Sequence, residues 1–550
     1  MDMDINILSK NATAQESIKK MEDALKSISS DIILGKQLHP LTNCYSVNLK
    51  SLDAPNHIYT NGKGINELSC QASALGEYIE RLQTNNFFIE FYMQDKAFYP
   101  DQKKFTDINE FLNDELNEFY NPNNELTLDD FIDFNSNETN SIICLPFKNK
   151  SNNEEVYFPT NIIHNLYVSN GLATGNTPAE AKVQAMSEIF ERYVKIKIIK
   201  EGYCLPKIPE SIVKLFPKLD EDIISLEEKG FKIQVLDASL GGKFPCVAIS
   251  LIDVKENSLF VSFGCHPILE VACERTMTEL MQGREVKDLN SFEKPSFNEE
   301  FVNDNFNIES HFINSDGKIN FSFLNKNSSF EFCQWKYDGV NSDDEYRFLF
   351  DITKSMNKDI YLREYDYLGF YSCQIIIPSI SEIYPIDDLI YNNANRGKEI
   401  RQYILNFKHI NHIDIDLEDI IQSVEHLGDD LDVEKYIGVL FKNNFTLGDF
   451  KAQIYLMLGD LESAVGYFEI SKKEISYILA QLCYIQIKEL NFEDYYESLC
   501  DIFGKKKLEE AMSIFSIDNY FIDILFHDDY INIQNLYDRL ALKKTKYYKG

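Results

Sequence analysis

Two stretches of the sequence, residues 73–81 (SALGEYIER) and 180–192 (EAKVQAMSEIFER), end in the same pattern, E-x-x-E-R. Helical residues three or four apart share one face, because each residue turns the helix by about 100°. Glu77 and Glu80 therefore share a stripe of the first stretch, and Glu188 and Glu191 share a stripe of the second. Carboxylates at this spacing are suitable ligands for hard divalent cations such as Mg²⁺, which commonly bridge to nucleotide phosphates.

The rest of the second stretch is mostly apolar, and a helix that is apolar on most sides is buried. Its acidic stripe should therefore line an internal cavity. Two glutamates on adjacent turns repel by roughly a few kcal/mol at an effective dielectric of about 20, so they raise their pKa or gather around cations. The alternative is that each pattern is a solvated helix face with i,i+4 ion pairs, which a single such helix would favour.

A third stretch, residues 270–284, follows an apolar strand-like run (259–263) and the breaker pair His266-Pro267. Arg275 lies one helical turn before Glu279 in this stretch. An arginine beside an acidic, metal-loaded cavity suits bidentate contact with phosphate. The alternative is an ordinary surface ion pair between the two residues.

Several strands and helices must hold these stripes in place. Alternating apolar runs predict strands at 42–49, 57–60, 142–147, 156–158, 231–237, 245–253, 359–366 and 370–378. A helix is predicted at 12–30, and Thr177-Pro178 with Glu180 form a start signal for the second acidic helix. The pattern predicts an α+β architecture of antiparallel or mixed sheets that carry buried acidic helices. Residues 95–140, rich in Asn and Asp, are predicted to be an insertion over the surface.

The pattern of predicted secondary structure changes near residue 395, and almost all elements predicted after it are helices. This predicts two domains, residues 1–395 and 396–550. Residues 451–468, with a Gly459-Asp460 turn, resemble a tetratricopeptide (TPR) helix-turn-helix. Such domains bind proteins or form dimer contacts, so we expect a TPR-like domain and a homodimer; a structural cap is the alternative.

Composition narrows the class of protein. The chain has 550 residues, which is too long for one core, and a net charge of −34, which opposes binding to nucleic-acid phosphates. A strongly negative net charge favours high solubility, and it would also favour encounter with a basic partner. The 11 cysteines include no C-x-x-C pair, which argues against structural zinc and a disulfide framework. With no signal peptide and no membrane-length apolar run, we expect a cytoplasmic protein without membrane contact.

Several long motifs, in the same order, resemble the YcaO family. They are residues 60–64 (TNGKG), 72–82 (ASALGEYIERL), 168–177 (VSNGLATGNT), 188–194, 237–242 (DASLGG) and 274–284. The similarity is strongest to stand-alone bacterial members, runs to about residue 390 and continues into a helical extension. It implies an ATP-binding fold without a Walker motif, in which glutamates hold Mg²⁺ and ATP phosphorylates an amide oxygen. In agreement, no G-x-x-x-x-G-K-[ST] occurs in the sequence.

The resemblance also implies site residues, and ATP and Mg²⁺ as cofactors. The Mg²⁺ ligands would be Glu77, Glu80, Glu188 and Glu191. The positions that resemble nucleotide contacts are Lys10, Ser17, Ala72, Ser73, Asn176, Glu180, Gln184, Arg192 and Arg275. Arg275 and Glu191 are the catalytic candidates. The sequence departs from the family pattern at Ala173, where a serine is expected.

Two functions follow from the resemblance. The first is an ATP-binding, ATP-hydrolysing accessory factor for β-methylthiolation of an aspartate in a small-subunit ribosomal protein, working with a radical-SAM methylthiotransferase. The alternative is an ATP-dependent enzyme that activates a backbone amide for azoline or thioamide formation. Many family cyclodehydratases end in a P-x-P-x-P tail, whereas residues 543–550 (KKTKYYKG) contain no proline, which disfavours peptide heterocyclisation.

Overall fold

The computed structural model describes residues 8–96, 99–313, 317–407 and 416–549. Within these ranges thirteen strands form three sheets. In chain order the strands are β1 (Ile32–Leu34), β2 (Leu38–Leu41), β3 (Cys44–Ser51), β4 (Tyr59–Gly64), β5 (Lys103–Phe105), β6 (Ile142–Asn149), β7 (Glu155–Pro159), β8 (Leu172–Gly175), β9 (Phe231–Asp237), β10 (Cys246–Asp253), β11 (Ser258–Cys265), β12 (Tyr361–Tyr365) and β13 (Tyr371–Ile376).

The pairings between these strands are antiparallel. In the first sheet β3 pairs with β1, β2 and β4. The second sheet has the order β11-β10-β9. The third has the order β5-β6-β12-β13-β8, and β7 also pairs with β6. This third sheet joins segments that lie far apart in the sequence, from β5 at residue 103 to β13 at residue 376.

The helices surround these sheets and form most of the C-terminal part of the chain. They are α1 (Ala14–Lys26), α2 (Glu67–Gln83), α3 (Asp114–Tyr120), α4 (Leu128–Phe131), α5 (Thr160–Ile162), α6 (Pro178–Glu201), α7 (Glu210–Val213), α8 (Pro217–Glu228), α9 (Leu269–Met281), α10 (Glu299–Asn303), α11 (Asn305–Ile313), α12 (Ser342–Ser355), α13 (Asp388–Tyr391), α14 (Gly397–Leu405), α15 (Leu417–Val424), α16 (Val433–Ile437), α17 (Leu447–Leu458), α18 (Leu461–Ile470), α19 (Glu474–Ile487), α20 (Tyr496–Phe503), α21 (Lys505–Phe515) and α22 (Asp528–Lys549).

Helices α2, α6 and α9, which contain the first two stretches and most of the third, lie directly on strands. Helix α2 packs on β4, α6 packs on β8, β13 and β11, and α9 packs on β11 and β10. The contact between α2 and β4 requires glycine, because a Cβ on Gly62 would lie 2.1 Å from the Cys70 carbonyl oxygen. On Gly64 a Cβ would lie 2.3 Å from the Ser69 hydroxyl. The two glycines therefore let the strand approach the helix closely, with Lys63 between them.

The segment 95–140 corrects one expectation from the sequence. Only part of it lies on the surface: Tyr99, Tyr120 and Phe131 are at most 1% exposed and belong to the main hydrophobic core. The polar residues that suggested a surface insertion instead shape the backbone, since Asn113 caps α3 and Asn121 accepts a hydrogen bond from the Leu126 amide. Aromatic residues between these turns fill the core.

The C-terminal helices share that same core. Tyr530, Tyr537 and Leu540 of α22 are at most 1% exposed and belong to it, and Tyr537 packs on Phe88, just after α2. Helices α17 and α18 form a packed pair around a turn at Gly459, where φ is +75°. In the part of the chain described here, no helix is long and apolar enough to cross a membrane.

Candidate functional site

Carboxylates and cations from α2, α6 and α9 lie close enough to change one another's ionisation. Burial raises the pKa of Glu80 to about 8, against the pull of Arg81, and the neighbouring Glu188 and Glu77 raise it further. Glu80 and Glu77 belong to α2, whereas Glu188 belongs to α6. The two E-x-x-E-R stripes therefore face each other across one space.

The third helix contributes to the same space. Burial raises the pKa of Glu191 on α6, an effect opposed by Arg275 of α9 and by Lys63 of β4. The guanidinium of Arg275 donates to the Gln184 side-chain oxygen at 2.7 Å. The structure thus brings Arg275 of the third stretch close to Gln184 and Glu191 of the second.

Ion pairs with arginines of the same helices neutralise part of the negative charge of these glutamates. Arg81 lies 3.2 Å from Glu77 and 3.7 Å from Glu80, and Arg192 lies 2.9 Å from Glu188. The Glu77–Arg81 and Glu188–Arg192 pairs have the i,i+4 spacing that a solvated helix face would show. The side chains are shielded, however: Glu80 is 13% exposed and Arg81 is 19% exposed. The stripes are therefore partly buried, and carboxylates outnumber their guanidinium partners.

Sequence reasoning missed two members of the cluster, Lys63 and Glu279. Their side chains form an ion pair. Glu279 is one turn beyond Arg275 on α9, and Lys63 lies on β4 between the two glycines that contact α2. Burial lowers the pKa of Lys63, while Glu191, Glu188 and Glu77 act to raise it. Extending the stripe rule to α9 would have found Glu279, but no local signal placed Lys63 among the glutamates.

The donor set fits a metal that arrives with a nucleotide. Across the described ranges, no group of three or more His, Cys, Asp or Glu side chains is placed so that it could hold a metal ion. A Mg²⁺ ion that arrives with a nucleotide takes part of its coordination from phosphate oxygens and water, so the protein need not supply a complete set of ligands. Burial raises the pKa values of Glu80 and Glu191, which disfavours their ionised form, and a bound divalent cation would favour it.

The candidate nucleotide contacts near the N-terminus gather at the start of α6. We call residues 9–13 the N-terminal strap. Lys10 of the strap donates to Glu180 at 3.2 Å, and the Ser17 hydroxyl and the Asn176 amide are hydrogen-bonded at 2.9 Å. Glu180 is in the first turn of α6, where Thr177 caps the helix. The positive end of the helix dipole favours phosphate at such a position.

The two remaining candidates lie on α2. Ser73 is half-buried one turn before Glu77, on the stripe that carries the acidic residues. Ala72 packs against the edge of the main core and has no polar side-chain atom. Its side chain can therefore offer a nucleotide only apolar contact. Ala173, the departure from the family pattern, is fully buried on β8.

A cleft of about 1690 Å³ lies elsewhere, between residues 89–91, the 127–134 and 161–165 segments, and the 391–403 and 423–440 segments. Its asparagines bond mainly to one another and to the backbone: Asn393 accepts from Asn161 at 3.0 Å and donates to the Asp130 carbonyl at 2.7 Å. These bonds tie the segment near residue 395 to the sheet domain. The titratable cluster is not in this cleft, so we place the functional site at the acidic stripes.

Comparison with known proteins adds evidence on the family of the chain. A family model described as YcaO cyclodehydratase, ATP- and Mg²⁺-binding, matches residues 61–381. An uncharacterised protein of Haemophilus influenzae is 40% identical over 483 residues, which is 84% of this chain and 82% of that protein. The ribosomal protein S12 methylthiotransferase accessory factor YcaO of Escherichia coli K12 is 39% identical over 480 residues, also 84% of this chain and 82% of its own.

Two solved structures resemble the chain at lower identity. A heterocyclase in complex with substrate and cofactor has a TM-score of 0.47 at 15% identity, covering 70% of this chain and 55% of its own. YcaO from Methanopyrus kandleri, bound with AMPPCP and Mg²⁺, has a TM-score of 0.41 at 13% identity, covering 68% of this chain and 92% of its own. The family model spans more than half of the chain and two relatives are at least 39% identical over most of it, so the chain belongs to the YcaO family, as its motifs predicted.

Proposed function

We propose that this protein binds ATP with Mg²⁺ at the acidic stripes and is an accessory factor for β-methylthiolation of an aspartate in ribosomal protein S12. The observation that carries this proposal is the 39% identity to the Escherichia coli accessory factor, which extends over 84% of the chain. The shielded glutamates of α2 and α6 support the ATP and Mg²⁺ part independently. A radical-SAM methylthiotransferase would then be the functional partner.

In this proposal Glu77, Glu80, Glu188 and Glu191 hold Mg²⁺. The nucleotide contacts are Lys10, Ser17, Ala72, Ser73, Asn176, Glu180, Gln184, Arg192 and Arg275. Their support is geometric: Lys10, Ser17, Asn176 and Glu180 lie at the start of α6, and Arg275 and Gln184 are hydrogen-bonded farther along it. The bound Mg²⁺ would offset charge on the phosphates.

Arg275 and Glu191 are the proposed catalytic residues for ATP hydrolysis. Arg275 is half-buried and donates to a neutral amide oxygen, so its charge is available to an anion. A guanidinium at this place would donate to phosphoryl oxygens as negative charge develops on them. Glu191, whose ionised form is favoured by Arg275, would hold the metal next to those oxygens.

The alternative function is ATP-dependent activation of a backbone amide in a peptide or protein substrate. The description of the family as cyclodehydratases favours it. Phosphorylating an amide oxygen turns it into a good leaving group, which is chemistry that the same ATP site would support. We rank it second because the full-length relative is named for the accessory role.

The proposed setting is cytoplasmic, without nucleic-acid or membrane contacts. A net charge of −34 would promote encounter with a basic ribosomal protein. We further propose that residues 396–550 form a TPR-like domain for protein contacts, including those of a homodimer, while residues 1–395 carry the ATP site.

Gene deletion tests the accessory role. The deletion strain should lose methylthio-aspartate on S12 without losing growth, which intact-mass spectrometry of small-subunit proteins would detect. Re-expression of the wild type should restore the modification, and Glu77→Ala should not. Glu67→Ala, an exposed glutamate on the same helix, is the matched control and should restore it. Full modification in the deletion strain would refute the accessory role and favour the amide-activating alternative.

A further inference from the structure

The N-terminal strap joins elements that are far apart in the sequence. The Asn11 amide donates to Glu180 of α6 at 3.3 Å, and the Asn11 side-chain oxygen accepts from Thr177 at 3.0 Å and from Ser342 of α12 at 2.9 Å. The strap therefore crosses from the start of α6 to the start of α12. Lys10, the candidate nucleotide contact, lies within it.

Ser9 fixes the other end of the strap through a buried network with one consistent arrangement of protons. The Ile268 amide donates to His266 Nδ1 at 3.0 Å, so the proton of the neutral imidazole is on Nε2. Ser9 Oγ lies 3.0 Å from that Nε2 and donates its own proton to Glu345 at 2.6 Å. The direction of the network is thus from His266 through Ser9 to Glu345.

Both ends of this hydrogen-bond network are buried, so the loss of one of its bonds would be costly. His266 and Glu345 are each 2% exposed, so a lost hydrogen bond leaves a buried polar group without a partner. Ser9 also has φ of +64°, in the left-handed region that residues with a Cβ occupy at a cost. Such a conformation persists when surrounding contacts determine it, and it often marks a functional site.

We propose that Ser9, His266 and Glu345 are positioning residues that hold the N-terminal strap over the start of α6 and set the place of Lys10 for the nucleotide. Lys10 is paired with Glu180 in the structure, and its side chain is 40% exposed. The anchor at Ser9 lets Lys10 leave Glu180 for a phosphate without release of the strap. This inference rests on the proposed ATP site and adds three residues to it.

The test is calorimetric titration of the full-length protein with ATP and Mg²⁺. Ser9→Gly removes the hydroxyl and keeps the backbone conformation accessible; we expect its Kd for ATP to rise roughly 5- to 30-fold. Ser29→Gly is the matched control, because Ser29 is exposed and also has a positive φ of +50°. It should bind as the wild type does. Glu345→Gln keeps an acceptor for Ser9 and should stay within about twofold of the wild type.

A double variant separates positioning from a general structural effect. If Ser9 acts through Lys10, then Ser9→Gly combined with Lys10→Met should bind ATP no more weakly than Lys10→Met alone. Unchanged affinity in Ser9→Gly, or losses that multiply in the double variant, would overturn the inference. Absence of ATP binding by the wild type would instead refute the proposed ATP site itself.

Discussion

At Glu80, burial and two neighbouring glutamates act in the same direction, and only arginines oppose them. The result is a carboxyl group with a pKa of about 8, which is protonated at neutral pH in the absence of ligand. A divalent cation would displace that proton and gain a ligand. Burial therefore disfavours the ionised form of this carboxyl group, and a nearby cation would favour it. This is the physical basis of the proposed Mg²⁺ site.

This predicts a pH-dependent stability. Between its ordinary pKa of 4.5 and about 8, Glu80 holds a proton in the folded state that it has lost in the unfolded state. The free energy of unfolding should therefore fall as pH rises through this window, by about 2–4 kcal/mol from this group. Denaturant unfolding from pH 5 to 8.5 would measure it. Glu80→Gln should remove that part of the slope, and equal slopes in the two proteins would contradict the assignment.

Glu191 should separate activity from stability. Glu191→Ala should abolish ATP hydrolysis, because a metal ligand beside Arg275 is lost. Its unfolding temperature should stay the same or rise, since one fewer carboxylate relieves repulsion in the crowded site. Glu201→Ala, an exposed glutamate at the end of the same helix, should leave both properties unchanged. Full hydrolysis by Glu191→Ala would show that the stripe is structural.

At the scale of elements, local sequence patterns predicted the helix starts and strands that depend mainly on neighbouring residues. Thr177 caps α6 and Pro178 begins it, as expected, and the strands predicted at 42–49 and 57–60 are β3 and β4. Strand β8 was missed because its partner β13 is distant in sequence and it follows a π-helical turn, Ile163–Tyr167. The location of Lys63 was missed for a related reason: it depends on how closely β4 approaches α2.

Helix α22 should be part of the folding unit that carries the acidic helix. Tyr537 is fully buried and packs edge-to-face on Phe88, just after α2, with ring centroids 4.9 Å apart. Tyr537→Ala should lower the free energy of unfolding by about 3–5 kcal/mol. Tyr547→Ala, at an exposed position of the same helix, should change it by less than about 0.5 kcal/mol. Equal effects would show that α22 is dispensable.

The shared core also predicts that truncation near residue 395 destabilises the ATP domain.

For the molecule as a whole, residues 9–13 are brought to the site by contacts that no local pattern contains. The N-terminal strap reaches α12 through Ser9 and Glu345, and Tyr537 of α22 packs on Phe88, just after α2. The family resemblance implied Lys10 and Ser17 as candidate nucleotide contacts, and the structure places both beside the start of α6. The net charge of −34 and the acidic stripes both oppose the approach of free ATP.

Metal dependence of ATP binding is therefore the most direct test of the central claim. Calorimetric titration of the full-length protein with ATP should show binding when Mg²⁺ is present, because the cation offsets repulsion between the glutamates and the triphosphate. With EDTA in place of Mg²⁺ the affinity should fall at least about tenfold, which corresponds to 1.4 kcal/mol, and restoring Mg²⁺ should recover it. Undiminished affinity in EDTA would contradict the assignment of Glu77, Glu80, Glu188 and Glu191 as the metal ligands.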